Sequence, residues 1–376
     1  MEKFAFTGIG VISSIGSSKE EFWDNMFAGK KGIKRIANFP LENGMDCRVA
    51  GEVSDFTVTD YLDMKGLRTL DRLTNLALCA AFAGIKDSVY QIDSSNASSC
   101  GVVLGNSFGS LDSITGFYLK RLAEGFKGLN PAYFPNTVIN SPTGNISIKL
   151  GLKGPNITVS GGMTAALDGI AYCMDTMDYY RQKLFLVGGV EELSLPVYQL
   201  FNQRQMLAAC DEDSFEGYLQ RKAGTILGEG AVIFTLEKEA SARERNAPIY
   251  GSVIGYGRGF HTSDPETVLR RVTDEALANA AKEIQDIDIV IPSCNGLASD
   301  ETAEKVFREL FKEALFYNPK EILGETISAG GAFQVLAALG MIKRREAPGG
   351  LKLNKKPVVL IGNIGDNSSI TVMVIE

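Results

Sequence analysis

The sequence predicts an α/β protein in which strands and helices alternate through two successive halves. Three observations carry that reading. Short strand-like runs, β-branched or otherwise apolar and flanked by Gly, Pro or Asn, recur along the chain, as at residues 157–160, 184–187 and 287–291. The first of these runs leads into a helical pattern, with Ala166, Ile170, Met174 and Met177 on one face of residues 164–180. Asn246-Ala247-Pro248 then interrupts the alternation, so the halves are expected at 1–246 and 247–376. Strand–helix alternation of this kind builds layered α/β folds.

Taken in order, residues 4–12 read as a strand and turn. Ser18 caps a helix that opens Lys19-Glu20-Glu21, with Glu21 three residues after the cap, and Ala28-Gly29 closes it. Residues 76–85 form an alanine-rich helix expected to be buried, and 101–105 a central strand ending in a Gly/Ser loop. Phe134-Pro135-Asn136-Thr137 leads into a helix at 144–148. Strands follow at 184–192, with a double glycine and an acidic end, and at 228–237. The second half opens at 249–257 and continues with a strand at 287–291 and helices at 300–316 and 329–343. Strands at 358–361 and 370–375 end it, and no letter-level repeat relates the halves.

Composition narrows the function classes. The 376 residues suffice for two compact domains or one duplicated one, and 45% hydrophobic with 22% charged content is ordinary for a globular protein. No apolar run has the length of a membrane span, and the N-terminus runs straight into a strand with no secretion signal. Six scattered cysteines without a Cys-x-x-Cys pair point to reduced thiols and a cytoplasmic protein, with no disulfide or zinc framework, metal or cofactor expected. A net charge of −7 argues against a general nucleic-acid surface. The single histidine, His261, rules out any mechanism that needs two histidines from this chain.

The chain is organised around residues 154–170. A strand entering a helix through Gly161-Gly162 lifts one residue onto the helix N-terminus, where free N–H groups and the helix dipole favour an anion. That residue is Met163, and a thioether has no proton to lose. The geometry is that of a nucleophile turn without a nucleophile.

Gly151-Leu152-Lys153-Gly154-Pro155-Asn156, followed by Thr158-Val159-Ser160 and Met163, resembles the nucleophile signature of β-ketoacyl-[acyl-carrier-protein] synthases, with Met163 where that family has cysteine. Phe22-Trp23 with Gly29-Lys30 and Gly32-Ile33, and Gly228-Glu229-Gly230-Ala231, also resemble the family, and the likeness extends from residue 4 to 376. The resemblance implies a thiolase-like fold of two similar βα halves in α-β-α-β-α layers. It implies that the region of Phe134 lines an acyl tunnel and the dimer interface. It also implies a condensation in which a thiolate takes an acyl group, two histidines hold the thioester enolate and backbone N–H groups hold the oxyanion.

Four places carry that chemistry in the family, and each is altered here. Met163 replaces the nucleophile. Asn295 stands at the first histidine position in residues 289–297. Anchoring on Ala329-Gly330 puts Gly324 at the second, or Glu325 if the register slips by one; Lys320 falls one residue from the family's lysine. Asp366 takes the place of a gating aromatic, where an acid is costly unless solvated or paired. Cys294 is either a replacement nucleophile or, with no cationic partner evident, a buried structural thiol. His261 reads as a surface or supporting residue. Loss of one member of a concerted triad can cost about 10⁶ in rate, so condensation is expected to be abolished.

Three functions stay open on the sequence. One is a non-catalytic, chain-length-factor-like partner of an active ketosynthase in fatty-acid, polyketide or aryl-polyene synthesis. The second is an acyltransferase or condensing enzyme with an atypical site at Cys294. The third is a homodimer that binds an acyl chain or acyl-carrier protein without turnover. Carrier proteins are acidic, so Lys30, Lys31, Lys34 and Arg35, or Lys343, Arg344 and Arg345, are the candidate footprints.

Overall fold

The Phe4–Ser13 strand is buried along its whole length, as a strand covered on both faces must be. It pairs antiparallel with Gly230–Lys238 on one side. On the other it meets Gly251–Phe260 at three positions, Phe4↔Val253, Ala5↔Ser252 and Phe6↔Gly251. This short seam joins two sets of five strands into one ten-stranded sheet. The computed structural model describes residues 2–54, 56–62, 69–297 and 299–376.

The first set comprises Phe4–Ser13, Cys100–Gly105, Asn156–Val159, Leu184–Glu191 and Gly230–Lys238; the second comprises Gly251–Phe260, Ile289–Pro292, Leu315–Phe316, Val359–Ile364 and Ser369–Ile375. In both, the order across the sheet by chain position is third, second, fourth, fifth, first. Directions also repeat: third, second and fourth run parallel, while fifth pairs antiparallel with fourth and with first. The halves share a topology without sharing letters.

Three apolar clusters define the layers. The Ala165–Thr176 and Gly330–Arg344 helices share the central one with Phe6, Phe234, Ile291 and Ile361. Arg72–Asp87 covers the outer face of the first set, and Pro265–Ala280 with Asp300–Leu310 covers that of the second. Every residue from Gly330 to Ile342 is buried, as befits a helix that is apolar all round. Gly340 is small because the Trp23 ring leaves no room, an added Cβ meeting it at 2.5 Å. Trp23 Nε1 donates to the Leu336 carbonyl at 2.9 Å, and Phe22 stacks on Phe333 at 5.9 Å. The N-terminal helix is thus fastened to the central helix of the other half. A fourth cluster joins Met45, Cys47 and Val49 to Tyr198, Phe215 and Tyr218 in a cap at one end of the sheet.

Two expectations change. The helix expected at 300–316 ends at Leu310, and Leu315–Phe316 turns back as an edge strand parallel to Ile289–Pro292. Backbone pairing with a strand formed far away in sequence overrides the local periodicity there. Helices at Leu111–Glu124 and Pro265–Ala280 were not foreseen, although Asp264 caps the latter by accepting from Thr267 N, with Pro265 in its first turn.

Candidate functional site

The Asn156–Val159 strand passes through Ser160, Gly161 and Gly162 into a tight turn at Gly162–Thr164 and the Ala165–Thr176 helix. Gly162 has φ +60°, a conformation that favours glycine. The turn is held from several sides. Gly162 N donates to Ser107 Oγ at 2.9 Å, and Thr164 Oγ1 reaches Asp168 Oδ2 at 2.7 Å and Ser369 Oγ at 2.8 Å. Asn363 Nδ2 donates to the Met163 carbonyl at 2.9 Å. Met163 is 3% exposed, so its side chain fills the space at the head of the helix.

Met163 and Asn295 are brought together, Asn295 Nδ2 donating to Met163 Sδ at 3.0 Å. The orientation of that amide follows from its other neighbour. Asn295 Oδ1 accepts from Lys320 Nζ. An ammonium only donates and a thioether only accepts, so the amide has one arrangement that satisfies both. Lys320 Nζ also donates to Ser293 Oγ at 2.8 Å and Glu325 Oε2 at 2.5 Å. Glu325 Oε1 accepts from Ile327 N at 2.6 Å. The two charged side chains are 4% and 1% exposed. The three ammonium protons are therefore spent on three acceptors, and the pair is closed off from water. Asp300 anchors the Asn295 loop, Oδ2 accepting from the N–H groups of Asn295, Gly296 and Leu297 at 2.6, 2.7 and 3.1 Å. Burial pushes the Asp300 carboxyl up, against the pull of these hydrogen bonds and of Lys320.

Gly324, the position that anchoring on Ala329-Gly330 gives, has no side chain to bring to the site. It occupies a turn with φ +75° against the Leu227 carbonyl and sends nothing into the cluster. Glu325, one residue on, supplies the side chain. Lys320 stands at the centre of the cluster instead of beside it.

Asp366 is exposed on one side, has no ion-pair partner among the described residues, and lines a cavity of about 320 Å³ together with Asn295, Ser293, Asp300 and His261. Loss of solvent against that wall raises its carboxyl, with Lys320 and Arg204 opposing. His261 therefore faces the cavity rather than open surface, and its Nδ1 is buried without a hydrogen-bond partner among the described residues.

Cys294 and Phe134 are not part of this arrangement. Cys294 lines a separate cavity of about 130 Å³ with Tyr317 and Asn318. Its thiol is pushed up to about 12, by burial first and then by the charges of Asp300 and Glu304. Phe134 is 58% exposed and packs edge-on against Phe117 at 6.1 Å. It belongs to an apolar surface, where the Leu111–Glu124 helix buries no residue.

Several supporting residues were not singled out from the sequence. Glu191, wholly buried, accepts from Ser328 Oγ at 2.5 Å, and Ser328 Oγ contacts Ser107 Oγ at 2.7 Å. This chain of hydroxyls runs from a buried carboxyl to the nucleophile turn. Burial pushes Glu191 up to about 7 against those hydrogen bonds, and its neighbour Glu192 up to about 8. The acidic end of the 184–192 strand was the only signal for it. Of the two basic runs, Arg344 is paired with Asp24, and Lys343 lies over the Trp23 and Tyr250 rings at 5.3 and 5.1 Å. Lys30, Lys31, Lys34 and Arg35 are exposed, with no side-chain ion pair among the described residues.

A profile of the family described as "Beta-ketoacyl synthase, N-terminal domain" matches residues 1–242. The chain belongs to the β-ketoacyl synthase family. It is 30% identical over 266 residues to the 3-oxoacyl-[acyl-carrier-protein] synthase 2 of Vibrio harveyi, a match covering 69% of this chain and 64% of that one. To the protein of the same name from Coxiella burnetii it is 28% identical over 366 residues, 93% and 88% of the two chains. A solved structure described as the ishigamide ketosynthase/chain length factor superposes with a TM-score of 0.88 at 23% identity, over 100% of this chain and 98% of that one. That likeness is one of fold, and the fold is thiolase-like, with its paired five-strand sets and central helices. Among the described residues no helix is long and apolar enough to cross a membrane, and no group of three His, Cys, Asp or Glu side chains could hold a metal ion.

Proposed function

We propose that this chain is a non-catalytic, chain-length-factor-like partner of an active ketosynthase in fatty-acid, polyketide or aryl-polyene synthesis. The observation that carries the reading is the filled nucleophile turn. Met163 Sδ sits where a reactive thiolate would stand, and Asn295 holds it at 3.0 Å. Asn295 is itself fixed by the buried Lys320–Glu325 pair. A thioether forms no acyl-enzyme, and an amide does not replace the imidazole donors of the condensation.

Two surfaces support a pairing role. The Asn156–Val159 strand ends the ten-stranded sheet, so its outer backbone edge is free to take a partner strand. Leu122, Phe126, Phe134 and Ile148 are each more than half exposed, apolar side chains of the kind that mark protein interfaces. The proposal includes a cytoplasmic location and a division into halves at 246/247.

Purification from native cells with mass spectrometry tests the reading. A stoichiometric ketosynthase bearing an intact cysteine and two histidines is the expected companion. Recovery as a lone homodimer overturns it. In that event the exposed Lys30, Lys31, Lys34 and Arg35 favour an acyl-carrier-protein-binding homodimer. Charge reversal of those four residues would then weaken carrier binding; unchanged binding would remove this second reading. A condensing enzyme built on Cys294 is disfavoured by the raised pKa of that thiol and by its separate cavity.

A further inference from the structure

Six scattered cysteines were expected to remain as unpaired thiols, and all six are free and buried. Two of them nevertheless face each other. Cys47 and Cys210 are partners in an isolated parallel bridge. The bridge is held in register by Cys210 N donating to the Asp46 carbonyl at 3.2 Å and Arg48 N donating to the Cys210 carbonyl at 2.8 Å. Facing residues on adjacent strands lie about 4.8 Å apart and project to the same side. That spacing falls inside the Cα separation of roughly 4.4–6.8 Å that a disulfide spans. Each thiol donates to a nearby backbone carbonyl, Cys47 Sγ to Val49 at 3.5 Å and Cys210 Sγ to Ala208 at 3.4 Å.

We propose that Cys47 and Cys210 are an oxidisable dithiol, closed by a hydroperoxide to an intramolecular disulfide that fastens the cap over the Lys320 cluster. Interaction between the facing thiols draws Cys210 below the usual thiol value and pushes Cys47 up, and Arg221 adds to the first effect while burial opposes it. Cys210 is therefore the thiolate that reacts first. Its sulfur attacks the terminal peroxide oxygen, the O–O bond breaks, and an alcohol leaves (water when the oxidant is hydrogen peroxide). The Cys47 thiol then attacks the sulfenic sulfur, the S–S bond forms, and water leaves. Two thiols lose two electrons in all, and the peroxide gains them. Cys210 is 5% exposed and Cys47 1%, so the oxidant meets Cys210 first.

The cross-link joins two segments that bear on the site. Tyr198 Oη donates to the Cys47 carbonyl at 2.7 Å. Downstream of Cys210, Tyr218 Oη donates to the Lys320 carbonyl at 2.8 Å, and Gly224 N to the Gly296 carbonyl at 3.0 Å. Fastening Cys210 to Cys47 restrains the 206–228 segment that covers Lys320 and the Asn295 loop. The inference stands on these contacts alone and is independent of the proposed partner role.

The test treats the purified full chain with hydrogen peroxide, then alkylates it under denaturing conditions. Six alkylated cysteines before treatment and four after are expected, with a non-reducing peptide map showing Cys47 joined to Cys210. Six alkylated cysteines after treatment, or a cross-link elsewhere or between chains, overturn the assignment. Cys47→Ser is expected to leave a dimedone-trappable sulfenic acid at Cys210, whereas Cys210→Ser leaves none at Cys47; the reverse pattern overturns the order of attack. Should either variant fail to fold, the wild-type map decides on its own. Amide exchange across 206–228 is expected to slow by about tenfold in the oxidised protein, and unchanged exchange removes the fastening role.

Discussion

Breaking the Lys320–Glu325 pair one side at a time separates a buried ionic clamp from an incidental contact. Glu325→Gln leaves an ammonium that is 4% exposed with neutral acceptors, Ser293 and Asn295 among them, and no ion-pair partner among the described residues. Lys320→Met leaves a carboxylate that is 1% exposed with the Ile327 N–H as its remaining partner in the cluster, and it frees the Asn295 amide to turn. Removing one partner of a buried pair costs about 3–5 kcal/mol, because the other charge stays behind. Replacing both, as Lys320→Met with Glu325→Leu, removes the two desolvated charges together. The remaining cost is about 1 kcal/mol each for the stranded Asn295, Ser293 and Ile327 N–H groups. The double variant should therefore lie within about 3 kcal/mol of wild type, a coupling of at least about 3 kcal/mol. Urea unfolding with an unchanged m-value is the assay. Single losses below about 1 kcal/mol that add in the double variant would refute the account of how Asn295 is held.

Other consequences are equally direct. Met163→Cys restores a thiol at the helix N-terminus, so an acyl adduct at position 163 is expected from acyl-carrier protein without any 3-oxoacyl product; appearance of product by mass spectrometry would show that the imidazoles are dispensable. Cys294, pushed up to about 12 from an ordinary 9.0, should alkylate near neutral pH about 10³-fold more slowly than an unperturbed thiol, as peptide-resolved labelling will measure. Glu191 and Glu192 are raised in the folded state, so the folded chain holds protons that the unfolded chain has lost. Their contribution to stability is greatest below pH 4.5 and falls as pH rises toward about 7 and 8. In Glu191→Gln the fall between pH 5 and 7 in unfolding free energy should flatten, and an unaltered pH profile would exclude Glu191 as a source.

The nucleophile turn was legible because its cause is local. A β-branched strand, two glycines and an apolar-faced helix lie within seventeen consecutive residues, 154–170, and short-range spacing encodes short-range structure. The capped N-terminal helix and most of the core strands were legible for the same reason. The identity of Met163 settled from the sequence that no thiolate could form there, and the single histidine settled that no pair of imidazoles could.

Tertiary structure decided what depends on residues far apart in the chain. Gly324 and Glu325 differ by one position. Which of them points inward is set by Glu325 N donating to the Ile226 carbonyl at 2.7 Å and by the bridge to Leu227, some hundred residues away. Lys320 could be placed in the cluster only once Ser293, Asn295 and Glu325 had converged on it. Cys294 and Asn295 are neighbours in sequence, yet line different cavities, because the loop between strand and helix turns their side chains apart. The repeated strand order of the two halves has no trace at the level of letters. Many apolar sequences fill the same packed layers, whereas a buried charge tolerates few partners, so the repeated order shows in the long-range strand pairing and not in the letters.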